Sequence, residues 1–206
     1  MAGLFMKYKQ EVNMLHKAKK IFDYLYLRSK GVETHYGFCK LIGLPIISKH
    51  KESRIIIEEG VTIVSKTKGN IAGVNNRTII ATLDSNAMII IKKNSGISGA
   101  KLIAVKKIEL GENCGLGVNT VIYDTDFHPI SPSGRKNQKS ILDAKSKEVL
   151  ISTDVLIGAN SIILKGSIIR DGVVVGAGSI VSGQELARYS VYAGNPVRKV
   201  KDINDD

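Results

Sequence analysis

The 206-residue sequence has no tryptophan, four prolines, two cysteines and four histidines, and its aromatic share is only 5%. Each scarcity excludes something. Cys39 and Cys114 cannot build a framework of bridges, so a reducing compartment is the expectation. No apolar run reaches the roughly 18 residues that a membrane-spanning helix needs. The N-terminus has no apolar core ending in a small-residue cleavage site, so no secretory leader is expected and the cytoplasm is the expected location. So few aromatics leave little for the stacking platforms that bind single-stranded nucleic acid, and no nucleic-acid partner is expected. Acidic residues are also short: 19 Asp and Glu face 30 Lys and Arg, a formal charge of +11. That surplus invites a search for a phosphate-rich partner.

What is present has a definite character. The chain holds 28 Ile and 17 Val against 15 Leu, together with 20 Gly. Side chains stiff at χ1 suit strands, and that much glycine suits frequent turns. A 43% hydrophobic share beside 24% charge excludes a disordered polyelectrolyte. The length fits one domain with at most a short appendage.

The strands have a period. From Ile151 an aliphatic residue returns every six positions, at Ile157, Ile163, Ile169, Val175 and Val181, then as Ala187 and Ala193. Four residues after each stands a second column: Val155, Ser161, Ser167, Val173, Ser179, Glu185, Val191 and Val197. Six fits neither an α-helix nor an isolated strand. It fits a short strand plus a corner, three of which make a coil of about 18 residues rising by roughly 4.8 Å. Upstream, Ile57 and Ile63 begin the series, and Ile91, Ile97 and Ile103 keep the beat. After one extra residue, Leu110, Leu116 and Ile122 resume it, whereas the phase drifts between Thr67 and Ile91. The aliphatic columns are core, so function is expected where the pattern breaks.

The largest break runs from about His128 to Leu150, with Pro129, Pro132 and the cations Arg135, Lys136, Lys139, Lys145 and Lys147. It reads as a loop ejected from a regular prism. His128 falls where an aliphatic residue was due. A histidine there suits acid–base work near neutral pH, and it equally suits anchoring the loop. His16, His35 and His50 precede the repeat, so three histidine ligands cannot meet in the coils and no metal is expected. After the Gly194-Asn195-Pro196 turn, Arg198, Lys199 and Lys201 could clasp phosphate or simply end the prism in a solvated tail. The segment 10–28 carries a helical stripe of Val12, Leu15, Ala18, Ile21, Phe22, Leu25 and Tyr26. Packing on the prism or on a neighbouring subunit is its simpler role. Peripheral contact with an anionic membrane is the alternative.

The hexads from Ile151, the TDFHP run at Thr125–Pro129, IGAN at Ile157–Asn160, VGAGSIV at Val175–Val181 and AGNPVRKV at Ala193–Val200 together resemble the hexapeptide-repeat O-acetyltransferases of the maltose, galactoside and serine acetyltransferase group. The likeness covers roughly residues 55–203 and leans toward the enzymes of bacterial surface-polysaccharide synthesis. It implies an all-β fold, a left-handed parallel β-helix over 55–203 with a loop ejected at about 128–150, preceded by a helical segment over 1–54. It implies a homotrimer with sites between subunits, acetyl-CoA as donor and a sugar hydroxyl as acceptor. His128 would be the general base, with Asp126 (or Asp124) orienting its ring. Ala159, Ala177, Ser182 and Gly183 would line the pantetheine groove, and Arg198 and Lys201 would meet the adenosine phosphates. Ser98 and Asn119 would touch the acceptor.

Departures keep that acceptor open. Leu156 stands where the galactoside enzymes have tryptophan, only Ser98 is polar among Ile97–Gly99 and Ala104–Val105, and the family's acidic N-terminal motif is not recognisable. N-acetylation of an amino sugar, serine or xenobiotic acetylation, and a non-catalytic basic β-helix binding an acidic polymer are the other readings.

Overall fold

The structure, a computed structural model, describes residues 2–35 and 39–203, with side chains described from residue 13. After helix α1 (Ala2–Ser29) the chain is a succession of short strands. The first coil is β1 (Lys40–Ile42), β2 (Ile46–Ser48) and β3 (Arg54–Ile57), and the second is β4 (Thr62–Val64), β5 (Ile79–Thr82) and β6 (Met88–Ile91). The third is β7 (Gly96–Ser98), β8 (Lys101–Ala104) and β9 (Lys107–Leu110), and the fourth β10 (Gly115–Leu116), β11 (Val121–Tyr123) and β12 (Val149–Ile151). The fifth is β13 (Leu156–Ile157), β14 (Ile162–Leu164) and β15 (Ile168–Ile169), and the sixth β16 (Val174–Val175), β17 (Ile180–Ser182) and β18 (Glu185–Leu186). β19 (Ser190–Ala193) starts a further turn, and β20 (Arg198–Asp202) doubles back on it antiparallel. First, second and third strands of successive coils stack into three parallel sheets, the sides of a prism.

The prism begins earlier than the expected boundary at residue 55. β1 pairs with β4 and β2 with β5, and Leu41 is fully buried. The hexad beat hides this coil because its strands are short and Pro45 breaks the spacing. Its outer edge has no preceding coil to bond, and α1 supplies the substitute. Asp23, almost fully buried, accepts from the Leu41 backbone N at 3.1 Å, and Lys19 Nζ donates to the Leu41 carbonyl at 2.8 Å while pairing with Asp23. Glu33 does the same at the third sheet, with its backbone bonded to Ile55 and Ile57.

The columns from Ile151 to Val181 all point inward. Elsewhere two corrections are needed. Leu102, not Ile103, is buried and pairs with Ile122, and Leu186, not Ala187, is buried. Tyr192 rather than Ala193 then stacks on Val175. In each case one corner is a residue short, and a one-residue slip turns the side chain through the sheet. Burying leucine in place of alanine favours the slipped register by about 2 kcal/mol.

The corners explain the second column. Asn94, Asn113, Asn119, Asp154, Asn160 and Tyr189, with Gly60, Gly99, Gly166, Gly172 and Gly178, all have positive φ. Each immediately precedes a second-column residue, which after the slip at Leu186 is buried Ser190 rather than Val191, and Asn, Asp or Gly tolerates that turn best. Serine in that column satisfies the next coil's backbone: Ser167 Oγ donates to the Leu164 carbonyl at 2.6 Å and accepts from Gly183 N at 3.1 Å. Cys114 fills the same role as a small core residue, its thiol pushed up to about 11 by burial, and both cysteines are free.

Candidate active site

The ejected segment leaves the corner between the second and third sheets, spanning 124–148 rather than 128–150, since β12 starts at Val149. Its root is a short ladder. Asp124 is fully buried and accepts from Val105 N at 2.7 Å and Lys106 N at 2.6 Å. Burial raises its pKa, and those two N–H groups work against the rise. Lys147 N bonds the Asp124 carbonyl, Ser146 Oγ donates to Thr125 Oγ1 at 3.0 Å, and Asp126 N bonds the Lys145 carbonyl. Asp124 therefore anchors the loop and does not touch the histidine.

Beyond the root, Phe127 has positive φ and meets Tyr123 edge-on at 5.0 Å. This places His128 outside the prism as an exposed side chain, not in the core column. The loop then forms α2 (Pro132–Asn137), capped by Ser131 Oγ accepting from Gly134 N at 3.1 Å. The residue after α2, Gln138, puts Oε1 2.8 Å from His128 Nδ1. Asp126, the expected orienting group, is engaged elsewhere: its Oδ1 pairs with Lys165 Nζ at 2.6 Å, and no described residue bonds its buried Oδ2. Sequence reasoning missed Gln138. It stands ten residues from the histidine in an aperiodic loop, and no spacing rule flags it.

The expected cofactor and acceptor residues fall at two different corners. Ser98, Asn119, Ala159 and Ala177 stack along the corner between the first and second sheets, linked by the bonds Asn119 N to Ser98 O and Gly178 N to Ala159 O. Ser182 and Gly183 end β17 at the opposite edge of the second sheet, the edge that carries the loop. A single subunit does not bring the two sets together.

Asn119 is one of the positive-φ corner residues, which accounts for its identity without an acceptor. The segment 65–78 lies over this corner: Asn70 Nδ2 donates to Ser98 Oγ at 3.1 Å, and Val74 is buried with Val64 and Val118. Glycine at 117 and 158 has an internal reason as well. A Cβ on Gly158 would lie 2.7 Å from Ala177 Cα in the next coil, an overlap costing about 1–3 kcal/mol.

Along this corner the stack ends beside Arg198, which pairs with Ala193 across β19 and β20. Lys199 is neutralised by Asp202 at 2.5 Å, whereas Arg198 and Lys201 make no ion pair among the described residues. The loop cations Arg135, Lys136, Lys139, Lys145 and Lys147 likewise make none among the described residues, while Lys92, Lys107 and Arg170 on the third sheet are paired with Glu109 and Glu185.

The sheets also differ in what they turn outward. The third presents those ion pairs to solvent among half-buried Ile56, Met88, Ile90, Leu150 and Ile168. The second turns out Ile79, Ile103, Val121, Tyr123, Ile162, Leu164 and Ile180, each only half-buried. On α1 the expected stripe divides: Leu15 (71% exposed), Phe22 (55%) and Leu25 face away from the prism, whereas Tyr26 packs on its core and donates to the Pro45 carbonyl, and Asp23 and Leu27 also face it. Val12 lies outside the described side chains.

No family model and no curated protein matches the sequence. Solved structures do. The polysialic acid O-acetyltransferase OatWY aligns with TM-score 0.56 and 21% identity, over 84% of this chain and 88% of that one. The polySia-specific acetyltransferase NeuO gives 0.54 and 21%, over 83% and 75%. The hexapeptide-repeat-containing acetyltransferase VCA0836 from Vibrio cholerae gives 0.52 and 17%, over 91% and 82%. The prism is thus the left-handed parallel β-helix fold of the hexapeptide-repeat acetyltransferases.

Proposed function

We propose that the protein is an acetyl-CoA-dependent O-acetyltransferase acting on a sugar hydroxyl in the synthesis of a surface polysaccharide. The observation that carries the reading is His128, held outside the prism by the loop, with Nδ1 engaged by Gln138 and no described residue bonded to Nε2. That nitrogen takes the proton as the acceptor oxygen attacks the thioester carbonyl. The tetrahedral intermediate collapses, the C–S bond breaks, and the thiolate recovers the proton from the imidazolium. No acyl-enzyme is needed when one groove holds both substrates in line.

The reading includes a homotrimer, the arrangement that joins the two half-sites. They flank the second sheet, whose outward face carries a row of half-buried apolar residues and no ion pair among the described residues of its strands. Packing three such faces around an axis parallel to the prism sets the corner of Ala159 and Ala177 in one subunit against the His128 loop, Ser182 and Gly183 of the next. Pantetheine then runs along the small-residue corner toward Arg198 and Lys201, which meet its phosphates.

The five loop cations, which make no ion pair among the described residues, favour an anionic saccharide at the acceptor end. Two of the similar structures are named for polysialic acid, a polyanion. The test is release of free thiol from acetyl-CoA with anionic and neutral oligosaccharides. Turnover is expected with the anionic ones, with acceptor KM rising as salt is added, and replacing Arg198 and Lys201 together by alanine raises the KM for acetyl-CoA. Turnover with free amino groups only turns the reading to N-acetylation, and thiol release with no acceptor sinks it.

The parallel threefold arrangement brings three α1 helices to one end of the trimer. No helix of the described residues is long and apolar enough to cross a membrane. Their exposed Leu15, Phe22 and Leu25, with Lys17 and Lys20 nearby, fit instead the surface of an anionic bilayer at its cytoplasmic face. Co-sedimentation with anionic but not neutral vesicles is expected, and Phe22→Glu should abolish it. Equal recovery from both vesicle types removes this contact.

A further inference from the structure

The amide of Gln138 is oriented by its own surroundings. Its Nε2 lies 2.8 Å from the Phe127 carbonyl and 3.0 Å from the Ser140 carbonyl. Both are acceptors only, so that atom must be the donating NH₂, and the amide cannot be flipped. The other atom is then oxygen, an acceptor only, and it stands 2.8 Å from His128 Nδ1. A bond exists there only if Nδ1 carries the proton. The neutral ring must then keep its lone pair on Nε2, the atom that a general base needs.

We propose that Gln138 is a positioning residue that locks His128 in the Nδ1–H tautomer. This inference rests on the reading of His128 as base. An unrestrained neutral imidazole exchanges between two tautomers, and the wrong one has no lone pair on Nε2. The same amide ties the residue before the histidine to a residue beyond α2, since Phe127 and Ser140 lie on either side of it. Closure of the loop and selection of the tautomer are therefore one event. An amide also does this without placing a negative charge beside the ring, which a carboxylate at 138 would do.

The experiment is ¹⁵N NMR of histidine-labelled protein, with the His128 ring identified by its loss in His128→Ala. The wild-type ring should show a protonated Nδ1 and a bare Nε2. Gln138→Ala should give a tautomer mixture and lower kcat by about 10–100-fold, as loss of an orienting partner does, with the KM for acetyl-CoA unchanged. Gln138→Glu keeps an acceptor for Nδ1 but loses the NH₂ that binds the Phe127 and Ser140 carbonyls, so it should restore the tautomer in part and give a kcat between those of Gln138→Ala and wild type. It should also move the acid limb of the pH–rate profile upward, because a carboxylate favours the imidazolium. In the His128→Ala background, Gln138→Ala should add nothing.

A protonated Nε2 in the wild type overturns the proposal. So does a Gln138→Ala protein that keeps both tautomer and kcat, or one that loses kcat with the tautomer intact. The spectrum reads the ring without any turnover. A correct tautomer in a protein that transfers no acetyl group would count against the acetyltransferase reading, not against the role of Gln138.

Discussion

His128→Ala is expected to lower kcat about 10²–10⁴-fold while leaving the KM for acetyl-CoA nearly unchanged. That loss corresponds to about 2.7–5.4 kcal/mol of transition-state stabilisation. The physical separation of the site makes the prediction sharp. The ring is exposed and, among the described residues, its side chain hydrogen-bonds only Gln138, so alanine leaves no cavity and the loop root from Asp124 to Lys147 stays closed. Among the residues assigned to the cofactor, Ala159 and Ala177 lie along a different corner of the prism, and Ser182 and Gly183 share the loop's edge without a hydrogen bond to the ring, so donor binding should not respond. Steady-state thiol release, with thermal melting to confirm an unchanged fold, decides the matter. Undiminished turnover would remove His128 from the chemistry.

The second large effect belongs to the outward face of the second sheet. Ile162→Glu should reduce the particle to a monomer of 22.4 kDa and abolish activity by about 10³-fold or more, since the two half-sites would no longer share one complex. Ile162 lies between Val121 and Ile180 in that sheet. Three uncompensated carboxylates brought together there cost more than the contact returns. Ile168→Glu is the control, because Ile168 is an equally half-buried outward residue, set between Leu150 and Glu185 on the third sheet and away from the face proposed to pack. Its mass and activity should stay at wild-type values. Sedimentation equilibrium and the thiol assay test both. A fully active Ile162→Glu monomer would mean that one subunit holds a whole site. A complementary check is to mix inactive His128→Ala with Ala177→Trp subunits. Activity should return in the mixture, because some interfaces then pair an intact loop with an intact groove.

The hexad from Ile151 to Val181 was readable because every position of its first column is aliphatic and every corner has the same length. Leu102 and Leu186 escaped because a corner shorter by one residue leaves composition untouched while reversing the face. The signal that marks the true register was present: Asn94, Asn113, Asn119, Asp154 and Asn160 each precede a buried small residue. The same turn chemistry explains why Asn119 looked like a binding residue. Corners recur every three hexads, so Ala159 and Ala177 share one, whereas Ser182 and Gly183 belong to the next, and counting coils separates them. His128 was legible as a break in the pattern. Its partner was not, since Gln138 is chosen by how an irregular loop closes. That most of the α1 stripe turns away from its own prism was equally hidden, because helical periodicity says that a face exists but not what it meets.

A stack of equivalent coils has no internal reason to stop. Each parallel edge is a template for another turn, from the same chain or from another copy. This chain ends its stack at one side with Asp23 and Lys19, a carboxylate and an ammonium that occupy the donor and acceptor of Leu41. At the other side β20 runs backwards and offers the next strand the wrong polarity. These two terminators, rather than the length of the repeat, keep a solenoid from becoming a filament.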